Sequence, residues 1–366
     1  MSKSHRKTNF PNYNPNPPMK RIPLQPVAGS LLDLMEDGRE YQSIVGRNVS
    51  VDLGTEMKRA MDDIQAIRHR PIICYIANTL NSAIAGKTSL SIDNSDDTPF
   101  IEILKSIPQE EKAVDIILVT PGGSADTVDY LVKKLRDRFD NIAFILPYMA
   151  MSAGTIFCMS GDELIMSESA YIGPIDPQVP SRGGMFVPAQ SIMTLIATIK
   201  ARGEAQMKKG LQPDWTDVQI LNHLDPKELG NAITASALST RLVTEYLKLY
   251  KFRGWHVHSG GGEVTPEERN TRAAEIAKLL CDNSVWLSHG SRITREIAVD
   301  ICKLKVTYPE SIDGLDRAIR RFWALMQLTL ENNPIAKIYA SGDYFLFRSV
   351  NLPSVQPVNP KKGESP

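Results

Sequence analysis

The sequence predicts an α/β fold, on three observations. Short apolar runs at 72–76, 114–119, 142–146 and 163–167 alternate with amphipathic segments of helical length, as expected for strands covered by helices. The stretch 114–155 reads as one β-α-β unit, whose parallel strands would deliver their ends to a common edge. Hydrophobic residues make up 42% of the 366-residue chain and charged residues 23%, enough to build a real core.

Taken in order, residues 1–28 are rich in Asn, Pro and Lys and are expected as a disordered or extended arm. A short helix is expected within 30–45. A longer one over 51–68 sets Met57, Met61, Ile64 and Ile67 on one side and is closed by Pro71. Strand 72–76 leads to a small, polar segment, 78–91, that fits a short helix or a loop. Helices follow over 99–107 and 126–139, the second turning Val128, Leu131, Leu135 and Phe139 to the sheet. A helix over 152–160 buries Ile156 and Met159. After strand 163–167, Gly173, Pro174 and Pro177 make 171–178 a rigid loop. Residues 181–188 read as a hairpin tip or flap, and 189–202 as a helix ending at Gly203.

Residues 215–250 read as one or two helices interrupted near Asp225-Pro226, inside a helical insertion at about 215–262. Thr265-Pro266-Glu267-Glu268 supplies a capped start for a helix reaching about Leu280. Ser288-His289-Gly290-Ser291 is a tight break. A helix over 293–302, a strand-like 305–308 and a helix over 313–331 complete the pattern. The expected organisation is a main domain over 29–310, a C-terminal helical extension over 311–351 and a disordered tail over 352–366.

Lys and Arg together number 42, as do Asp and Glu, so the formal net charge is zero. No basic field points to nucleic acid. The four cysteines, Cys74, Cys158, Cys281 and Cys302, are widely spaced and read as reduced, packed residues of a cytoplasmic protein. His256 and His258 are the nearest histidine pair; they read as loop residues rather than metal ligands, and no metal or cofactor is expected. No G-x-G-x-x-G follows a strand, so NAD is not implied. The N-terminus lacks the apolar region of a signal peptide. Residues 142–160 form a charge-free window long enough to span a bilayer. Pro147 and the small residues 152–155 favour a buried strand and helix instead, and no transmembrane span is expected.

The chemistry is concentrated at the two exits of the β-α-β unit, Pro121-Gly122-Gly123 and Met151-Ser152-Ala153-Gly154-Thr155. A serine opening a helix lies beside unpaired N–H groups and the positive helix end. Gly122 and Gly123 let a second backbone segment approach closely. Ser152 is therefore the candidate nucleophile, and the amides of Gly123 and Ala153 the candidate oxyanion hole. The plainer alternative is a helix cap and a turn. A neutral serine needs a base. His289 is one candidate; Lys200, Lys208 and Lys209 are others, with a lowered pKa if desolvated. Asp176 would orient a base or hold its loop. The sheet edge near Gly122–Asp126 would take an extended substrate by strand addition.

Four stretches, 120–124, 151–155, 172–178 and 287–290, resemble the superfamily of ClpP and signal peptide peptidase A, and within it the serine dehydrogenase proteinases. The likeness covers about residues 50–310. It implies a ClpP/crotonase-like spiral of β-β-α units with additional C-terminal helices, a peptidase-type serine at Ser152, an oxyanion loop at Gly122-Gly123 and a homo-oligomer. ClpP itself carries its histidine where this chain has Ile175-Asp176, so a ClpP-type triad is not expected. Signal peptide peptidases use a lysine, for which Lys200 or Lys208 lies in about the right region; membrane contact, found in many relatives, is left open. The leading expectation is a serine endopeptidase acting on peptide or protein substrates. The alternatives are an inactive oligomeric scaffold or peptide-binding protein of the same fold, and a crotonase-like acyl-thioester enzyme.

Overall fold

The apolar runs become the strands of a mixed sheet. The computed structural model describes residues 30–47, 52–180, 186–258 and 260–351. The expected arm at 1–28, the tail at 352–366 and most of the 181–188 flap lie outside the described residues. The strands are β1 (Ile72–Ala77), β2 (Ala113–Val119), β3 (Asn141–Leu146), β4 (Met149–Ala150), β5 (Glu163–Met166), β6 (Tyr171–Ile172), β7 (Gln178–Pro180), β8 (Phe186–Pro188), β9 (Ile293–Thr294), β10 (Ile335–Ser341) and β11 (Tyr344–Ser349).

Six of them form the main sheet, in the order β11-β10-β1-β2-β3-β5. β1, β2, β3 and β5 are parallel, whereas β10 adds antiparallel to β1 and β11 to β10. Side chains alternate across it. Ile73, Tyr75, Ile116, Leu118, Ile142 and Phe144 enter a core shared with helices Asp97–Ser106, Ala125–Arg138, Ala153–Met159, Pro226–Tyr246 and Pro266–Cys281. Ile72, Cys74, Ile76, Ile117, Val119 and Ile145 enter a second core with helices Leu53–Arg68 and Leu315–Asn332. Each fully buried Leu, Ile or Phe stabilises such a core by about 1.5–3 kcal/mol.

After leaving the main sheet, the chain adds a rung to a smaller one. β4, β6 and β9 form that layer, with β4 parallel to β6 and β9 antiparallel to it. Single parallel bridges, Thr120 to Ala150 and Ile92 to Gly123, extend it. Thus β2 continues to Thr120–Gly123 before helix Ala125–Arg138, and β3 to β4 before helix Ala153–Met159. This is the expected β-β-α succession, in an α/β fold. The charge-free window 142–160 is β3, β4 and a buried helix. Among the described residues no helix is long and apolar enough to cross a membrane.

Several expectations are corrected. The segment 311–351 is not wholly helical: helix Leu315–Asn332 is followed by the β10–β11 hairpin, which completes the main sheet. Helix Ala189–Lys208 runs through Gly203 instead of stopping there, since a lone glycine costs a helix only about 1 kcal/mol. The edge at 122–126, expected to take an extended substrate by strand addition, is occupied on one side, while the Gly123 N–H has no acceptor among the described residues. Ile92 N–H donates to Gly122 O at 2.7 Å, Ser124 N–H donates to Ile92 O at 2.9 Å, and a helix begins at Ala125. The break at Asp225-Pro226 falls as expected, with Asp225 capping and Pro226 opening helix Pro226–Tyr246.

Candidate active site

Two residues beyond β4, Ser152 takes φ 51° and ψ −117°. A non-glycine residue in that region costs about 1–3 kcal/mol and persists only when its surroundings enforce it. Here they do. A Cβ on Gly122 would lie 2.7 Å from Met151 O and 2.8 Å from Ser152 Cβ, so only glycine lets the two exits meet. Gly122 has φ 104° and Gly123 φ 147°, both in the range that favours glycine. Ser152 precedes helix Ala153–Met159, yet its side chain makes no capping hydrogen bond. Among the described residues its hydroxyl has no hydrogen-bond partner at all, and the residue is half-buried. The cap reading therefore does not account for it.

The neighbouring amides divide by role. Gly122 N–H donates to Thr120 Oγ1 at 3.1 Å. Gly154 N–H donates to Met151 O at 2.7 Å. Among the described residues the N–H groups of Gly123 and Ala153 find no acceptor. Thr155 fastens the helix start to the next loop: its Oγ1 lies 2.9 Å from the carbonyl oxygens of Ala150 and Gly173 and accepts from Gly173 N–H at 3.0 Å.

That loop carries Asp176, which is 1% exposed. Ile175 N–H donates to Leu280 O at 2.9 Å, and Gln178 Nε2 to Asp176 Oδ2 at 3.1 Å. The remaining carboxylate oxygen, Oδ1, lies 2.8 Å from His289 Nδ1. The His289 side chain is 29% exposed. Its loop is fixed from both sides: Trp286 Nε1 donates to Leu279 O at 2.7 Å, and Ser291 Oγ to Trp286 O at 2.7 Å.

Strand register directs the three segments that carry these residues to one end of the small sheet. Ala150 pairs with Ile172, and Ile172 with Ile293. Ser152 follows the end of β4, and Asp176 follows the end of the parallel β6. His289 precedes β9, which is antiparallel to β6. All three therefore leave the small sheet on the side where Gly122 abuts Ser152.

The lysine candidates are exposed to solvent. Lys200 is on helix Ala189–Lys208 with 75% of its side chain exposed, 3.9 Å from Glu204. Lys208 and Lys209, at the end of that helix, are exposed. His258 lies 3.4 Å from Glu268. Among the described residues no group of three or more His, Cys, Asp or Glu is arranged to hold a metal. The sequence offers His289 as a base and Asp176 as a residue that would orient one, without joining the two.

Residues 49–208 match the family model described as ClpP-like SDH-type serine proteinase. Two uncharacterised proteins of Methanocaldococcus jannaschii are each 36% identical, over 97 and 94 residues, or 26% and 25% of this chain. Those segments are 32% and 30% of the relatives, so the chain spans about a third of the length of the curated relatives it matches. Among solved structures, a serine-to-alanine variant of the 1510-N membrane-bound stomatin-specific protease is 24% identical, covering 30% of this chain and 57% of that one with a TM-score of 0.25. An enoyl-CoA hydratase/isomerase from Marinobacter aquaeolei is 12% identical, covering 58% and 84% with a TM-score of 0.21.

Proposed function

Starting from the match of residues 49–208 to the ClpP-like SDH-type serine proteinases, we propose that this protein is a serine endopeptidase whose catalytic residues are Ser152, His289 and Asp176. The observation that carries this reading is the 2.8 Å contact between His289 Nδ1 and buried Asp176 Oδ1, at the sheet edge from which Ser152 emerges. Asp176 fixes the ring so that Nδ1–H donates to it and Nε2 is left to take a proton. Ser152 Oγ attacks the peptide carbonyl as His289 Nε2 removes its proton. Oxygen takes the developing charge between the amides of Gly123 and Ala153. The imidazolium then protonates the leaving amine, and water repeats the sequence on the acyl-enzyme.

Ser152 Oγ makes no hydrogen bond among the described residues; the reading requires His289 Nε2 to come within hydrogen-bond reach of it in the peptide complex, where catalytic contacts commonly tighten. The exposure of Lys200 and Lys208 weighs against either as base, because a lysine base needs desolvation. Four free, buried cysteines suit a reducing compartment such as the cytoplasm. Trp215, Met207 and Phe186, 74%, 64% and 67% exposed, suit a homo-oligomer.

A fluorophosphonate probe tests the reading. Labelling of the full chain should be lost in Ser152→Ala and reduced at least a hundredfold in His289→Ala. Labelling that survives His289→Ala but vanishes in Lys200→Ala or Lys208→Ala would replace the histidine by a lysine. No labelling of the wild-type chain between pH 6 and 9 would remove the peptidase reading.

A further inference from the structure

Lys337 lies within β10, and its side chain is 1% exposed. Its Nζ donates to Asp96 Oδ1 at 2.7 Å and Oδ2 at 3.0 Å, and to the Ser91 carbonyl at 2.6 Å. Asp96 is fully buried. It also accepts from the hydroxyl of Tyr75 at 2.7 Å, from the hydroxyl of Tyr339, and from Asp93 N–H at 2.9 Å. A buried ion pair is a weak device for stability alone, because desolvating both charges offsets most of their attraction. Its position suggests another role.

Ser91 precedes Ile92, the residue that pairs with the glycine exit. Ile92 N–H donates to Gly122 O, and Ile92 O accepts from Ser124 N–H. Gly123 between them is pressed so close that a Cβ there would fall 2.3 Å from Ile92 O and 2.4 Å from Ile92 N. The peptide planes on both sides of Gly123 are thus set by Ile92. Ile92 in turn is set by the carbonyl that Lys337 holds. Alternate contacts of the same segment, Asp93 to Asp96 and Arg348 Nη2 to Ser95 O at 2.7 Å, fix its far side.

We propose that Lys337 is a positioning residue for the oxyanion amide: by holding the Ser91 carbonyl it fixes Ile92, and through Ile92 the direction of the Gly123 N–H. The inference rests on the serine-peptidase reading. It also makes the C-terminal hairpin, which lies beyond the family match at 49–208, part of the apparatus that shapes the site.

The test uses the full chain, fluorophosphonate labelling of Ser152, and kcat and KM on a fluorogenic peptide. Lys337→Met/Asp96→Asn leaves no lone buried charge. It should label at least tenfold slower and lose kcat by a similar factor, with KM within twofold, as expected for a misdirected oxyanion donor. Tyr339→Phe removes one hydrogen bond from Asp96 without touching the Ser91 carbonyl. It should melt lower but label within twofold of wild type. The proposal is overturned if the folded double variant labels at the wild-type rate, or if both variants lose labelling in proportion to their loss of melting temperature. Lys337→Arg, which buries no lone carboxylate, supplies a second readout by amide hydrogen exchange. Faster exchange at Ile92 and Ser124 with unchanged β2 supports the proposal, and unchanged exchange at both overturns it. Failure of the wild-type chain to label refutes the peptidase reading itself; wild-type labelling with unaffected variants refutes only the role of Lys337.

Discussion

Asp176 and His289 are 113 residues apart in sequence and 2.8 Å apart in space. The carboxylate is 1% exposed and its second oxygen is occupied by Gln178, so its orientation toward the imidazole is fixed. Asp176→Asn should keep the fold but lower kcat by about 10³–10⁴, because an amide can favour the wrong ring tautomer. Lys200→Ala should leave kcat/KM within twofold. Steady-state hydrolysis of a peptide substrate checks both, and a near-normal Asp176→Asn would remove the carboxylate from the mechanism.

Glycine at position 123 is a geometric requirement. An added Cβ meets two backbone atoms of Ile92 at 2.3 and 2.4 Å, neither of which can swing aside. Gly123→Ala should lower Ser152 labelling by about 10²-fold or more through the displaced amide. The positive φ alone should destabilise the variant by roughly 1–3 kcal/mol. Gly210→Ala is the control: its φ is 72° but open space surrounds it. That variant should lose stability only. Parallel melting curves and labelling rates separate the two effects.

The β-α-β unit was legible because its information is local. Val128, Leu131 and Leu135 recur at helical spacing between two apolar runs, and all three are buried against the sheet. The glycine pair beside a serine was legible as a motif. The left-handed backbone of Ser152 was not, since the contact with Gly122 across the sheet imposes it. β10 was missed because Ile335–Ser341 carries a lysine at its third position, and a charge in an apolar run reads as a surface position. Asp96, 241 residues earlier, and the Ser91 carbonyl make that lysine a core residue. His289 and Asp176 were each legible as candidates, a base and a residue to orient one, but their contact was not, since neither loop contains information about the other.

Arg68 bridges two strands at the opposite end of the main sheet. Its Nε lies 2.6 Å from Asp115 Oδ2 on β2, and its Nη2 2.6 Å from Glu163 Oε2 on β5. Asp115 is fully buried, and burial raises its pKa despite the arginines. Arg68→Met should destabilise the protein by up to about 3–5 kcal/mol, because it leaves the buried Asp115 carboxylate only Arg70, 3.2 Å away, as a cationic partner. Arg68→Met/Asp115→Leu should recover most of the loss. Urea unfolding of the two variants and Asp115→Leu forms the cycle; equal losses in Arg68→Met and the double variant would contradict it.

Lys251 supplies a pH-dependent prediction. It ends a π-helical turn, Leu247–Lys251, that follows helix Pro226–Tyr246. Its Nζ is sealed from solvent and has no hydrogen-bond partner among the described residues, although the residue as a whole is only half-buried. Burial pushes its pKa down to about 8 from 10.5; the Cys158 thiol, Asp162 and Glu163 oppose the shift, and Arg136 adds to it. Between those two values the unfolded chain holds the proton and the folded chain releases it, so this group makes stability rise with pH across that window. Below about pH 8 both states are protonated, and the buried ammonium costs the fold about 3 kcal/mol. Lys251→Met should therefore be more stable than wild type at pH 7, by up to about 3 kcal/mol, and the gap should close by about pH 10. Chemical denaturation at half-unit steps from pH 7 to 10 measures the difference. A gap that stays constant over that range would mean that the ammonium is solvated in the folded chain.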